Sequence, residues 1–230
     1  MTKKEAAKMI DISAVRTQHT YEDIVRIVKL AEKYGFINVH VLPNWVPVLA
    51  GMLSTADGVY VGAPVGFPAG ANGTLTKIVE AQQLIKDGVE EMDIVMNIGR
   101  FRNKEYDYVL QELKAVIALA HACGRPVMTK VIIEINALTD EEMFKACDLV
   151  MESGADFIKT GTGWIPGDAN LDRIRRIKEY CGSRIKIKAA GGIRTRKEFD
   201  ELVDMGVERM GINERSAMEI VDTFEEQEKG

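Results

Sequence analysis

The feature that most constrains this chain is the alternation, eight times over, of a short β-branched run with a longer stretch of helical period. Such alternation is typical of βα units around a parallel sheet. The predicted strands are Lys8–Val15, Ile37–Leu42, Val59–Val65, Glu91–Asn97, Pro126–Glu134, Asp156–Thr160, Arg184–Ala189 and Arg209–Ile212. The predicted helices are Tyr21–Tyr34, Asn44–Leu53, Thr74–Lys86, Glu105–Ala122, Asp140–Ser153, Asn170–Tyr180, Arg196–Asp204 and Ser216–Phe224. Eight such units in 230 residues predict an α/β fold of the (β/α)₈ barrel type. A doubly wound sheet is the alternative.

Glycines and capping patterns support these boundaries. The glycines that precede apolar strands, and that we expect to end helices, are Gly35, Gly88, Gly124, Gly154 and Gly206. Thr139 with Glu142, and Thr195 with Glu198, have the spacing of a capping box. No linker rich in Pro, Ser or Gly divides the chain, so we predict one domain over 1–230, with a frayed, charged tail at 225–230.

The charge balance and the apolar runs exclude several classes of function. Lys and Arg number 30 against 35 Asp and Glu, a net charge of −5, which argues against a nucleic-acid partner. No apolar run approaches the length that crosses a bilayer, and the first residues are polar, so we expect no membrane association and a cytoplasmic location. The three widely spaced cysteines, Cys123, Cys147 and Cys181, are expected to be reduced thiols.

Polar residues late in apolar strands are the candidates for chemistry, because a barrel gathers its catalytic groups at the carboxyl ends of its strands. Asp93 lies among apolar neighbours, and Lys130 and Glu134 fall on one alternating face of their predicted strand. Lys159 and Lys188 fall at equivalent depths on consecutive strands. One interpretation is a satisfied ionic layer with no chemistry.

The other interpretation is catalytic. Two buried ammonium groups side by side lower each other's pKa, and a neutral lysine amine attacks carbonyl carbon to form a Schiff base. Asp93 would then shuttle protons to a substrate hydroxyl or a water.

Glycine-rich loops follow three of the strands. The loop Ala190–Thr195 enters a capped helix, so the backbone N–H groups of Gly191 and Gly192, together with Arg194, are candidates for binding an anion. A tight strand-to-helix turn is the alternative. The small-residue loop Thr160–Gly163 lets backbone approach a ligand, and the loop Gly66–Asn72 is expected to form one wall of the site.

Five segments together resemble the deoxyribose-phosphate aldolase family, in order along the chain from about Asp11 to about Gly211. They are Gly66–Asn72, Glu91–Asn97, Lys130–Glu134 followed by Leu138–Glu141, Ala155–Gly163 and Lys188–Thr195. The resemblance implies a class I aldolase barrel without metal or other cofactor, which cleaves 2-deoxyribose 5-phosphate reversibly to acetaldehyde and glyceraldehyde 3-phosphate. It also implies a small-molecule aldehyde or sugar-phosphate partner and a homodimer or higher homo-oligomer.

The resemblance implies a role for each matching residue. Lys159 would form the Schiff base, Lys188 would depress the pKa of Lys159, and Asp93 would relay protons. Asp11, Lys130 and Thr162 would support this network. The residues implied in phosphate or substrate binding are Gly163, Gly191, Gly192, Arg194, Gly211, Asn213 and Glu214.

Three departures from the family pattern affect the substrate end and the pocket. The first strand reads Asp11-Ile-Ser-Ala-Val15 where the family commonly has Asp-His-Thr-x-Leu, and His40 stands where the family often has Cys. His40 is either a satisfied core imidazole or a hydrogen-bonding group in the pocket. The last strand ends in Asn213 and Glu214 in place of paired serines, and a carboxylate there repels phosphate unless Arg194 or Arg215 intervenes.

Three other functions are alternatives to the deoxyribose-phosphate aldolase. The first is a Schiff-base aldolase whose substrate has a different or unphosphorylated tail. The second is a sugar-phosphate isomerase or epimerase, which leaves the two lysines unexplained and expects a carboxylate pair or metal ligands. The third is a binding barrel without catalysis.

Overall fold

The computed structural model describes residues 1–53 and 58–225, and its eight parallel strands close into a barrel in chain order. The strands are β1 (Ile10–Ala14), β2 (Asn38–Val41), β3 (Tyr60–Val65), β4 (Glu91–Val95), β5 (Met128–Ile132), β6 (Phe157–Lys159), β7 (Lys186–Ala190) and β8 (Arg209–Asn213). β1 pairs with β8 through Asp11 and Gly211, which closes the sheet. The barrel prediction is confirmed, and the doubly wound alternative is wrong.

Helices alternate with the strands and surround them. They are α1 (Lys3–Ala7), α2 (Tyr21–Tyr34), α3 (Val46–Met52), α4 (Thr74–Lys86), α5 (Ile98–Arg102), α6 (Tyr106–Ala122), α7 (Asp140–Ser153), α8 (Leu171–Cys181), α9 (Arg196–Asp204) and α10 (Glu214–Val221). Short 3₁₀ turns at Pro43–Trp45 and Ile135–Ala137 join neighbouring elements. The predicted bounds of α2, α4, α7 and α9 are confirmed, whereas the sequence reading missed the five-residue helices α1 and α5.

The expected start and stop signals position these helices. The capping boxes at Thr139 and Thr195 are both formed, and glycines such as Gly35 and Gly154 end their helices in the left-handed conformation, with φ of 76° and 83°. The last helix begins two residues earlier than predicted. The reason is that the Asn213 side chain accepts a hydrogen bond from the backbone N–H of Ser216 and so caps α10 at Glu214.

Alternate side chains of each strand face opposite sides of the barrel wall. Apolar residues such as Ile94 and Ile158 belong to the buried core between strands and helices. Their neighbours Asp93 and Lys159 point into the barrel, where they meet. The fold therefore places an ionic cluster inside an apolar wall.

The chain end and the thiols bear on three earlier predictions. The backbone oxygen of Glu225 accepts a hydrogen bond from the backbone N–H of Lys3 at 3.0 Å, and the frayed tail at 225–230 stays a prediction. The rest of that tail, 226–230, lies outside the described residues, and the single domain over 1–230 stays a prediction. The three cysteines are free thiols.

Candidate active site

The cluster inside the barrel centres on the carboxylate of Asp93, which has no exposed surface. Its Oδ2 lies 2.7 Å from Nζ of Lys159, 2.9 Å from Nζ of Lys188 and 3.1 Å from Nε2 of His40. Its Oδ1 lies 3.4 Å from Nζ of Lys130. Strand register brings these groups together, because Lys159 pairs directly with Lys188 between β6 and β7. Two predicted site residues, Lys159 and Lys188, thus share one oxygen atom of a third, Asp93.

A ring of further ion pairs surrounds this centre. Lys188 also contacts Asp11, and Lys130 contacts Glu91. Arg209 joins the two carboxylates, since its Nε donates to Asp11 at 2.7 Å and its Nη2 to Glu91 at 3.0 Å. All of these side chains are buried. The predicted supporting residues Asp11 and Lys130 therefore belong to one network with Glu91 and Arg209, which the sequence reading did not assign to the site.

Formal charges show why Lys159 differs from the other lysines. The buried carboxylates of this network are Asp11, Glu91 and Asp93, and its ion-paired cations besides Lys159 are Lys130, Lys188 and Arg209. Three negative charges balance three positive charges. An ammonium on Lys159 is then the excess charge in a buried site, where it is costly.

The pKa values follow this balance. Burial lowers the pKa of Lys159 to about 8; Asp93 opposes this shift, while Lys188 and Lys130 add to it. Burial alone would lower the pKa of Lys188 as well, but Asp11 and Asp93 raise it above the ordinary value. Burial would raise the pKa of Asp93, yet the ammonium groups of Lys159 and Lys188 lower it well below its ordinary range. Lys188 therefore stays charged while Lys159 supplies a free amine near neutral pH.

A cavity of about 400 Å³ opens above the cluster at the carboxyl ends of the strands. Lys159, Lys188 and His40 line it, whereas Asp93 and Lys130 do not. The remaining predicted site residues in its lining are Asp11, Thr162, Gly163, Gly191, Gly192, Arg194, Gly211, Asn213 and Glu214. A proton that passes between Asp93 and a ligand therefore travels through a lysine or through His40.

The glycine loops form the upper wall of this cavity. Gly163, Gly191 and Gly192 all have positive φ, of 71°, 93° and 80°. A Cβ on Gly192 would lie 2.5 Å from the backbone nitrogen of Ala169, so only glycine fits that turn. These loops bring bare backbone to the cavity beside Arg194.

Comparison with known proteins assigns the family. The model of the DeoC/LacD family of aldolases matches residues 21–213 of the sequence. The chain belongs to this family. A deoxyribose-phosphate aldolase of Rhizobium meliloti is 42% identical over 219 residues, which cover 95% of this chain and 86% of that relative. One of Thermococcus kodakarensis is 40% identical, over 96% of this chain and 98% of the relative.

A solved structure agrees with the family at the level of the fold. An aldolase called QR15 superposes with a TM-score of 0.88 at 34% identity and covers 95% of both chains. The family resemblance noted in the sequence is thus confirmed, and with it the aldolase class of the enzyme.

At the substrate end of the aldolase site, the structure corrects the expected partners of Glu214. Its carboxylate pairs with Arg26 of α2, whereas Arg215 donates to Glu219 at 2.9 Å and the backbone N–H of Arg194 donates to Glu198. Arg26 lies 188 residues away in sequence, and no local pattern indicated it. The charge of Glu214 is therefore compensated, but by a residue that sequence reasoning missed.

Asn213 and Arg16 also differ from expectation. The side chain of Asn213 borders the cavity, but its oxygen caps α10 and its nitrogen donates to Ser216, so it is engaged within its own helix. Arg16 was not predicted. Its guanidinium stacks on the Trp164 ring at 5.1 Å and donates to the Gly163 carbonyl, which adds a cation to the cavity mouth.

Glu134 does not share a face with Lys130, so that prediction is wrong. β5 ends at Ile132, and Glu134 adopts a left-handed backbone with φ of 54° before the 3₁₀ turn. Its carboxylate accepts hydrogen bonds from the backbone and hydroxyl of Thr162. Glu134 thus holds the loop that follows Lys159, and Thr162 supports the site through this contact.

Two kinds of feature are absent from the described residues. No group of three or more His, Cys, Asp or Glu side chains within 1–53 and 58–225 could hold a metal ion. In the same part of the chain, no helix has the length and apolar character of a membrane span.

Proposed function

We propose that this chain is a class I aldolase that forms a Schiff base on Lys159 and cleaves 2-deoxyribose 5-phosphate reversibly to acetaldehyde and glyceraldehyde 3-phosphate. One observation carries the proposal: Lys159 lines the cavity, has a pKa lowered to about 8 by burial, and lies in register beside Lys188. The deoxyribose-phosphate aldolases among its relatives supply the substrate class.

The reaction begins with attack on the aldehyde carbon of the open-chain sugar. The neutral amine of Lys159 adds to the carbonyl, and loss of water gives a protonated Schiff base. A base then removes the proton of the hydroxyl on the third carbon. The electrons of that O–H bond form a new carbonyl on the third carbon, and the bond between the second and third carbons breaks to release glyceraldehyde 3-phosphate. The electrons of the broken bond move toward the iminium nitrogen to form an enamine. Protonation of the enamine carbon and hydrolysis release acetaldehyde and free Lys159.

Two neighbours of Lys159 have distinct parts in this scheme. Lys188 stays charged, because Asp11 and Asp93 raise its pKa, and its ammonium favours the neutral form of Lys159. Asp93 stays ionised and lies 2.7 Å from the reacting nitrogen, so it accepts and returns the protons of the cycle.

The phosphate of the substrate is proposed to bind at the upper wall. Backbone N–H groups of Gly191 and Gly192 and the guanidinium of Arg194 border the cavity, and Arg16 adds a second cation. Since Arg26 pairs with Glu214, the positive charge of Arg26 offsets the repulsion between that carboxylate and the phosphate. We therefore propose the phosphorylated sugar over the unphosphorylated one.

The decisive experiment is borohydride trapping with acetaldehyde, read by intact mass and peptide mapping. We expect a two-carbon adduct on the peptide that contains Lys159. Lys159→Arg should lose the adduct and turnover, because a guanidinium stays protonated. Lys145→Arg, an equal change on helix α7, serves as the control. An adduct on Lys188 alone would contradict the assignment.

We also propose a cytoplasmic homo-oligomer. A deoxyribose phosphate aldolase from Aeropyrum pernix, solved as a tetramer, superposes with a TM-score of 0.86 at 26% identity, over 96% of this chain and 92% of that chain. Light scattering of the purified protein should give a mass of at least twice 25.6 kDa. A monomeric mass across the micromolar range would contradict the oligomer, and recovery of the native protein with cell membranes would contradict the location.

A further inference from the structure

His40 is the one buried histidine of the described residues, with 4% of its surface exposed, and its tautomer is fixed by its neighbours. The amide nitrogen of Asn38 donates to Glu91 at 2.9 Å, so the amide oxygen of Asn38 is left to accept. That oxygen contacts Nδ1 of His40. Nδ1 must therefore carry the proton of the neutral ring, and Nε2 carries a lone pair.

The lone pair of Nε2 faces a second acceptor. It lies 3.1 Å from Oδ2 of Asp93, and it has no hydrogen-bond partner among the described residues. Two acceptors at this distance form a hydrogen bond only when a proton lies between them. The resting site therefore contains a place for one more proton, shared by His40 and Asp93.

Burial and the neighbouring charges keep the position between His40 and Asp93 without a proton at neutral pH. The charged groups that surround His40 are Asp11 on β1, Asp93 on β4, Lys130 on β5 and Lys188 on β7, with Lys159 on β6 bound to the same oxygen of Asp93. Burial lowers the pKa of His40 to about 4; Asp93 opposes this shift, and the two ammonium groups of Lys188 and Lys130 strengthen it. The imidazole is thus neutral at neutral pH, and the lone pair of its Nε2 remains free.

The fold makes room for this imidazole. Gly62 on the neighbouring strand β3 faces it, and a Cβ there would lie 2.3 Å from Nδ1 of His40 and 2.8 Å from the Asn38 oxygen. His40 also lines the cavity, whereas Asp93 does not. The ring therefore stands between the cavity and the carboxylate that relays protons.

We propose that His40 takes part in the proton transfer of the aldolase reaction, with its Nε2 sharing with Asp93 the proton that leaves the substrate. The inference rests on the proposed function. When a C–H bond of the Schiff base breaks, its electrons form the enamine double bond and neutralise the iminium nitrogen. The proton enters the pair formed by Asp93 and His40, and the same pair returns it to carbon in the reverse step.

The first test is independent of turnover. The sequence contains only three histidines, so nitrogen-15 NMR of the imidazoles in the wild-type enzyme is assigned by comparison with His19→Gln and His121→Gln. We expect one histidine, His40, in the neutral form protonated at Nδ1 from pH 6 to pH 8. A ring protonated at Nε2, or an imidazolium in this range, would overturn the proposal.

The second test follows the proton during catalysis. Enzyme-dependent deuteration of acetaldehyde in heavy water reports proton transfer at carbon, and borohydride trapping reports Schiff-base formation. His40→Gln keeps a polar group that can reach Asp93 but does not titrate, and His40→Asn keeps only the contact to Asn38. We expect both variants to trap acetaldehyde to within about threefold of wild type while deuteration slows at least about tenfold. The surface variant His121→Gln should match wild type.

The two proposals fail in different ways. If the wild type traps no acetaldehyde, the proposed function fails and the proton-sharing role of His40 fails with it, whatever tautomer the NMR experiment finds. If trapping is normal and His40→Gln deuterates as fast as wild type, the imidazole only fills space or orients Asp93, and the proton-sharing proposal is overturned.

Discussion

At the scale of single residues, Lys159 and Lys188 share one carboxylate oxygen and yet have pKa values shifted in opposite directions. Lys188 has a second carboxylate, Asp11, and Lys159 lines the cavity with Asp93 as its ion-pair partner. A pKa of about 8 leaves roughly one Lys159 amine in ten neutral at pH 7, against about one in three thousand for an ordinary lysine. Burial and the neighbouring charges together thus give Lys159 the free amine that the proposed Schiff base requires.

Removal of the Lys188 charge should make the Lys159 amine more basic. In Lys188→Leu the ammonium that lowers the pKa of Lys159 is gone, while Asp93, which raises it, remains. We expect the pH midpoint of borohydride trapping to move up by about one to two units. Circular dichroism should verify the fold, because a buried ion pair is broken. An unshifted midpoint in a folded variant would make Lys188 structural.

Individual residues also show how much of the site the sequence predicts. Lys159 and Lys188 lie at the same depth in the barrel because side chains alternate with a two-residue period along strands, so their proximity could be predicted. The partner of Glu214 could not, since Arg26 comes from a helix 188 residues away. The predicted position of Glu134 was wrong, because β5 ends where the chain turns before Glu134. The apolar run of the sequence continues past this end of the strand and does not reveal it.

At the scale of elements, the packing of β2 against β3 depends on Gly62. We expect Gly62→Ala to reduce the free energy of unfolding by about 1–3 kcal/mol, because the new Cβ overlaps His40 and one of the two must shift. Urea unfolding measures the change. Gly51→Ala is the control, since Gly51 lies in α3 with nothing within 4 Å of the new atom, and it should stabilise by about 0.5–1 kcal/mol. Equal stabilities of Gly62→Ala and wild type would contradict the close packing.

The ion pair between Arg26 of α2 and Glu214 of α10 should determine how strongly the enzyme prefers a phosphorylated substrate. Arg26→Gln leaves Glu214 uncompensated at the cavity, and we expect kcat/KM for 2-deoxyribose 5-phosphate to fall about tenfold more than for 2-deoxyribose. The double variant with Glu214→Ser should recover the wild-type ratio. Arg102→Gln, which breaks a surface pair with Glu142, is the matched control. Equal losses on both substrates would show that the phosphate does not sense Glu214.

At the scale of the whole molecule, the barrel holds its ionic cluster within a wall of apolar side chains, so the cluster affects stability as well as chemistry. The alternation of eight strands with eight helices predicted this architecture, because repeated βα units in a chain of this length close into a barrel. The five-residue helices α1 and α5 were not predictable in the same way, since they are too short for a helical period to emerge.

Acid should weaken the whole fold through His40. Its pKa is about 4 in the folded protein, because burial disfavours the imidazolium, against an ordinary value of 6.5. Between these values the unfolded chain binds a proton that the folded chain excludes, so stability falls as the pH drops from 6.5 to 4. At pH 5 the loss from this residue is about 2 kcal/mol relative to pH 7.

Urea unfolding at pH 7 and pH 5 checks this prediction. His40→Gln should remove most of the difference between the two pH values, because glutamine does not titrate. His121→Gln should keep it, since that imidazole is 42% exposed and lies outside the barrel interior. Asp11 and Asp93 do not mimic the effect, because their pKa values are lowered in the folded protein and their contributions are lost only when the pH falls below the ordinary carboxyl range. If His40→Gln showed the same loss at pH 5 as wild type, the imidazole would not be held neutral by the folded barrel.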